Sequence, residues 1–160
     1  MPSASPVVTL RPMTEAEYEA YVPHATETYA LDLARNNLVS EEEGWARSRR
    51  SFDTELPDGI HTPDQRLLIA EDAGGGLVGY LWLARKAETD TLFIYDIEVV
   101  AERRGEGFGR SLMEHVEVEG RAMGLGRIEL NVHADNEVAR SLYESAGYRE
   151  MRRQMVKLLD

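Results

Sequence analysis

The chain contains no cysteine. Disulfides, thiolate metal sites and cysteine nucleophiles are excluded together, and a reducing cytoplasm is the expected setting. No run of apolar residues is long enough for a membrane-spanning helix. The opening MPSASPVV has neither the basic start nor the apolar core of a signal peptide. Positive charge is scarce: 18 Lys and Arg stand against 29 Asp and Glu, a net charge of −11. That balance argues against nucleic acid, which is bound by basic patches. It suits a cationic partner such as an amine, and it also serves plain solubility. Histidine is sparse too. His24, His61, His115 and His133 share no metal-ligand spacing, so no metal is expected. Ser111 and Ser141 lack the context of a hydrolase nucleophile.

What is present fits one soluble domain spanning residues 1–160, with 1–6 as a loose tail. Val7 to Arg11 reads as a strand. Thr14 with Glu17 makes a capping box and opens a helix, which Pro23 should kink or divide and which resumes to about Asn36. Ser40 with Glu43 opens a second helix, stopped by Pro57-Asp58-Gly59 after Leu56. Arg66–Glu71 and Leu77–Arg85 flank three glycines, which predicts a hairpin. A strand over 91–100, a long helix, a strand over 127–132, a short helix capped by Asp135 or Asn136, and a final strand or two over 148–158 complete the order. The result is an α/β (α+β) fold with a mixed sheet of six to seven strands, mostly antiparallel, and about four helices.

The stretch Ile94 to Gly109, IYDIEVVAERRGEGFG, organises the rest. A strand runs into Gly105, Gly107 and Gly109, and Phe108, Leu112, Met113 and Val116 then mark one face of a helix. A strand, a glycine-rich turn and a helix N-terminus converge amide N–H groups on one point, with Arg103, Arg104 and Arg110 around it. A pyrophosphate is the natural guest, although a glycine-rich surface turn reads the same way. A Walker loop is excluded because no Lys-Ser or Lys-Thr follows. The dinucleotide fingerprint is excluded because Arg110 stands where its third glycine belongs. Asp96 and Glu98, two apart on the same strand, share one face, taken here with Leu92, Ile94 and Val100. Carboxylates on so apolar a strand need a purpose or a partner. One of them, with Glu98 favoured, is a candidate general base, and a pair of structural acids is the alternative. A bulge in the strand would change which one faces a site.

Arg104-x-x-Gly107-x-Gly109 resembles the pyrophosphate signature of the GNAT superfamily of N-acyltransferases. LNVHADNEVARSLYESAGY, residues 130–148, is similar to that family's second motif, matching at Asn136, Ala139, Leu142, Tyr143, Gly147 and Tyr148. The resemblance is strong from about residue 91 onward.

It implies acetyl-CoA as cofactor and acetyl transfer to a primary amine by direct attack in a ternary complex. The strands flanking the long helix would splay, and the backbone near Val99 and Val100 would hold the pantetheine arm. Arg104, Gly105, Glu106, Gly107, Phe108, Gly109 and Arg110 would grip the pyrophosphate. Asn136 would contact the cofactor arm or cap its helix. Tyr143 would protonate the leaving thiolate or serve as a core aromatic. Relatives that act on protein N-termini carry a glutamate base where this chain has Asn131, which is left as a substrate-side positioner. Tyr29, Trp45, Tyr80 and Trp82 are candidate walls of the acceptor site. The expected partner is a small-molecule or peptide amine, with no nucleic acid and no membrane; a homodimer is left open. A non-catalytic acyl-CoA-binding or sensor module of the same fold is the alternative function.

Overall fold

The protein is described by a computed structural model covering residues 4–160. Its elements in order are β1 (Thr9–Pro12), α1 (Glu15–Asn37), α2 (Glu41–Glu55), β2 (Gln65–Glu71), β3 (Leu77–Lys86), β4 (Thr91–Val99), α3 (Phe108–Ala122), β5 (Arg127–Leu130) and α4 (Glu137–Ser145). The five strands form one sheet in the order β1-β2-β3-β4-β5. The first four are antiparallel neighbours, and β5 runs parallel to β4. The chain divides into two compact units, Met1–Tyr21 with Leu56–Asn131, and Val22–Glu55 with Val132–Asp160.

The first unit holds the whole sheet and α3. Its core is built from both partners: Leu81, Leu83 and Leu92 of the sheet and Leu112 and Val116 of α3 are fully buried. This is the apolar stripe expected of α3. At the β1–α1 junction the capping box is complete, with Thr14 Oγ1 accepting from the Glu17 amide at 3.2 Å and Glu17 Oε2 accepting from the Thr14 amide at 2.8 Å. Arg11 adds a fork onto Glu17 and reaches Glu71 on β2. Its hydrogen bond, more than any other cause, holds the Glu17 carboxyl down at about 2. Ser5 and Pro6, expected in a loose tail, are tied to α3. Ser5 donates to Glu114, and Ser111 Oγ donates to the Pro6 carbonyl at 2.7 Å. The remainder of that tail, residues 1–3, lies outside the described residues.

The second unit holds the rest of α1, α2 and α4. Here α1 and α2 pack so closely that a Cβ on Gly44 would sit 2.4 Å from the Ala30 carbonyl oxygen. Ser48, fully buried, donates to the Thr26 carbonyl at 2.8 Å. Pro23 was expected to divide or kink α1, and it does not divide it: α1 is one helix. Proline removes a single hydrogen bond from a helix of 23 residues.

Two expectations about the sheet are corrected. Among the described residues five strands form, not six to seven, because residues 148–158 adopt no strand. An extended segment becomes a strand only against a paired edge, and β5 is the last strand of the sheet among the described residues. The second correction concerns β4. Asp96 pairs with Trp82, but Leu83 pairs with Ile94, so Tyr95 is an extra residue and forms a bulge. The bulge reverses the alternation, and Asp96 and Glu98 do not share a face with Leu92 and Ile94. They stand on the face of their register partners Trp82 and Tyr80.

The strands β3 and β4 meet tightly beside this bulge. A Cβ on Gly79 would lie 1.9 Å from the Glu98 carbonyl oxygen, a backbone atom that cannot step aside. Gly79→Ala should therefore lower stability by about 3 kcal/mol, read as a reduced urea midpoint. An unchanged midpoint would mean that the two strands separate there at no cost.

Candidate active site

The candidate site starts where β4 loses its neighbour. Pairing between β4 and β5 covers Thr91 to Ile94 against Arg127 to Leu130 and then ends. Beyond Ile94 the outer edge of β4 has no strand beside it among the described residues. β5 ends at Leu130, two residues earlier than expected, so Asn131 lies in exposed chain past the strand. On the other side of β4, the Val100 amide donates to the Val78 carbonyl at 2.9 Å. The Val99 carbonyl accepts from Arg104 Nε at 3.0 Å.

The turn after β4 delivers a bare helix end. Gly105 and Gly107 are left-handed, at φ +80° and +87°. Gly107 is the residue before α3, and no side chain caps the helix. The first amides of a fifteen-residue helix thus face outward with the positive end of its dipole. Gly107 is doubly constrained, since an added Cβ would also press on Pro6 Cδ at 3.3 Å. The Arg104 guanidinium is mostly exposed and lies 3.9 Å from Glu98. Arg110 and Glu106 are exposed, and Phe108 is buried as the first core residue of α3. Arg103 behaves differently from Arg104. It bonds Asp72 of the β2–β3 turn at 2.7 Å, meets Glu106 at 3.4 Å and lies over the Phe108 ring at 4.6 Å. That bond to Arg103 is the main reason the Asp72 carboxyl is held below its ordinary value. Arg103 therefore latches the turn to the sheet, and its charge is already compensated.

Asp96 has a partner that the sequence did not reveal. Tyr21 of α1, 2% exposed, donates its hydroxyl to Asp96 Oδ2 at 2.7 Å. Burial first, and the Asp96 charge second, push the phenol well above its ordinary value, so it remains a donor. The Tyr21 ring leans on Tyr80 at 5.5 Å, and Tyr80 is the register partner of Glu98. Tyr21 and Asp96 are 75 residues apart, and no local pattern links them. Trp82, expected as an acceptor wall, is 3% exposed, stacks on Tyr95 at 4.6 Å and donates its indole N–H to Gln65 at 2.7 Å.

The remaining expected residues belong to the second unit. The Asn136 side chain accepts from the Ala139 amide at 3.1 Å, capping α4 as expected. Tyr143 is half-buried beside Tyr148, with ring centroids 6.0 Å apart. Trp45 lies under the Arg49 guanidinium at 5.1 Å. Tyr29 sits 6.3 Å from the His133 ring, and burial raises its phenol. A cleft of about 270 Å³ in this unit is lined by Asp32, Arg35, His133, Asp135 and Asn136. Arg35 bonds Asp135 and Asp32 there, and its hydrogen bond keeps the Asp135 carboxyl low. Among the described residues no cluster has the make-up of a metal site, and no helix is long and apolar enough to cross a membrane.

Residues 26–148 match the profile of the acetyltransferase (GNAT) family. The chain belongs to that family. An uncharacterised N-acetyltransferase of Bacillus subtilis, YycN, is 30% identical over 145 residues, covering 89% of this chain and 93% of YycN. The YycN crystal structure superposes with a TM-score of 0.91 over 96% of this chain and 99% of its own. Streptothricin acetyltransferase of Streptomyces lavendulae is 36% identical over 85 residues, 53% of this chain and 45% of that enzyme. The spermidine N-acetyltransferase of Vibrio cholerae, solved with CoA and spermine, shares the fold at TM-score 0.65 and 21% identity, over 91% of this chain and 82% of its own. The GNAT fold accounts for the four helices and the mostly antiparallel sheet seen here.

The Tyr21 hydroxyl should be the main support of the Asp96 carboxylate. Tyr21→Phe keeps the ring and removes only the hydrogen bond, so a loss of about 1.5–3 kcal/mol is expected in denaturant unfolding. No loss would show that Asp96 is held by other groups.

Proposed function

We propose that this GNAT chain is an acetyl-CoA-dependent N-acetyltransferase in which both units serve one acyltransferase domain. The observation that carries the reading is the N-terminus of α3, which no side chain caps, presented by left-handed Gly105 and Gly107 just beyond the part of β4 that pairs with β5. An anion at the helix end and an extended amide-bearing arm along the strand edge are the two demands of coenzyme A. Both are demands that main-chain groups can meet. In its V. cholerae relative, the same fold was solved with CoA.

On this reading the amides of Gly105 to Arg110 hold the pyrophosphate, with the Arg104 and Arg110 charges beside them. Backbone groups of Val99 and Val100 align the pantetheine arm. The thioester supplies the electrophilic carbonyl. Glu98 accepts a proton from the acceptor ammonium, and the freed amine nitrogen bonds to that carbonyl carbon as the carbon–sulfur bond breaks. Tyr143 enters by the family resemblance as the donor of a proton to the departing thiolate, and its phenolate is reprotonated by the second proton that the nitrogen loses as it becomes the amide. Glu98 is preferred over Asp96 as the base, because the Tyr21 hydroxyl occupies one Asp96 oxygen. The acceptor is a primary amine, consistent with the acidic charge of the chain and with relatives named for streptothricin and spermidine. Tyr29, Trp45 and Asn131 are retained as acceptor-side residues and Asn136 as a contact of the cofactor arm.

Two variants test the assignments. Gly107→Val forces a β-branched side chain into a left-handed position against Pro6, so calorimetric titration should show acetyl-CoA affinity reduced at least about tenfold. Unchanged affinity would remove the turn from the cofactor site. Glu98→Gln should lower turnover with a primary amine by about 10²–10⁴-fold while acetyl-CoA affinity holds. If Asp96→Asn alone has that effect, the base is Asp96. Acetyl-CoA binding with no thiol release across an amine panel would favour a non-catalytic acyl-CoA sensor.

A further inference from the structure

The segment that leads into β1 lies along the start of α3. Ser111 Oγ donates to the Pro6 carbonyl at 2.7 Å, and Ser5 Oγ donates to Glu114 at 3.1 Å. A Cβ on Gly107 would press on Pro6 Cδ at 3.3 Å. Gly107, Ser111 and Glu114 stand four and three residues apart, so they share one face of the helix, and the segment follows that face. Val8, buried in the core, anchors the far end just before β1 starts at Thr9.

The bond from Ser111 is an unusual one. A serine inside a helix ordinarily folds its hydroxyl back on the carbonyl one turn earlier. Here the hydroxyl crosses to a carbonyl 105 residues away in the chain, and Ser111 is 3% exposed. The Ser111 amide reaches its own helical acceptor, the Gly107 carbonyl, only at 3.4 Å. Gly107 brings no side-chain cap, and glycine has the widest backbone freedom of any residue. The opening turn of α3 is therefore held weakly from within, and the Pro6 contact holds it from outside.

We infer that residues 5–8 are a strap that keeps the opening turn of α3 in its cofactor-receiving geometry, with Ser111 as the positioning residue. The inference rests on the coenzyme A reading above. Ser111 touches neither the cofactor nor the reacting atoms in that reading. It acts through the backbone of Gly107 to Arg110, whose amides converge on one anion while the left-handed entry at Gly107 is kept. Where only a fraction of molecules hold that geometry, the observed dissociation constant is the intrinsic one divided by the fraction. The strap keeps the fraction near one, and the cofactor meets a turn already ordered.

Two variants loosen the strap from opposite sides. Ser111→Ala removes the hydroxyl and keeps a strong helix former in α3. Pro6→Gly frees the segment and leaves the sequence of α3 untouched. In calorimetric titration each should raise the acetyl-CoA dissociation constant about five- to tenfold, the worth of one buried hydrogen bond. Turnover at saturating acetyl-CoA should stay within about twofold, because the ordered turn is restored once the cofactor is bound. Hydrogen exchange should quicken at the amides of Ser111 to Met113 and stay unchanged over 116–122. A lowered melting temperature with unchanged affinity in the folded variants would overturn the inference, as would a loss confined to turnover. An effect of only one variant would overturn it too, since both loosen the same contact. Should Ser111→Ala fail to fold, Pro6→Gly decides alone. If the unaltered chain binds no acetyl-CoA, the coenzyme A reading falls and takes the strap with it. If it binds and the variants bind equally well, the strap alone falls.

Discussion

Pairing between β4 and β5 stops at Ile94 and Leu130, and the candidate site follows from that stop. A strand edge without a neighbour carries backbone groups that must find partners in water or in a ligand. Here the part of β4 beyond its pairing with β5 leads directly into the start of α3, where left-handed Gly107 precedes a first turn that no side chain caps. Both halves of the arrangement are made of main chain. Side chains enter mainly as supports: Gly79 lets β3 approach β4, Phe108 and Leu112 anchor α3, and Arg103 ties the β2–β3 turn to the loop.

The bulge at Tyr95 does the complementary work. Without it, Asp96 and Glu98 would continue the face of Leu92 and Ile94, which are buried. Two ionised carboxylates there would lose most of their hydration with little to replace it. One extra residue turns both onto the face of Tyr80 and Trp82. There Asp96 takes a hydrogen bond from Tyr21, and Glu98 keeps 20% of its side chain exposed, 3.9 Å from Arg104. The two acids are thereby made unequal, one fixed by a buried phenol and the other beside Arg104 of the glycine-rich turn.

Much of this was legible in the sequence because it is local. The Thr14–Glu17 capping box, the Ser40 cap of α2, the hairpin with its three glycines, the amphipathic stripe of α3 and the Gly107 turn are each set by residues a few positions apart, and each formed where expected. What was not legible is non-local. The bulge depends on how β3 and β4 settle their register. The Tyr21 bond joins residues distant in sequence. The final strand illustrates the limit most clearly: residues 148–158 have the composition of a strand, yet a strand exists only where an edge receives it.

The central claim is that the β4 edge and the α3 terminus together form a coenzyme A site. Calorimetric titration of the purified chain with acetyl-CoA, with ATP and NAD as controls, tests it most directly. Micromolar binding of acetyl-CoA, with neither control bound, is the result predicted here. No binding of acetyl-CoA, or equal binding of all three, would contradict it and reduce the turn to a general anion trap.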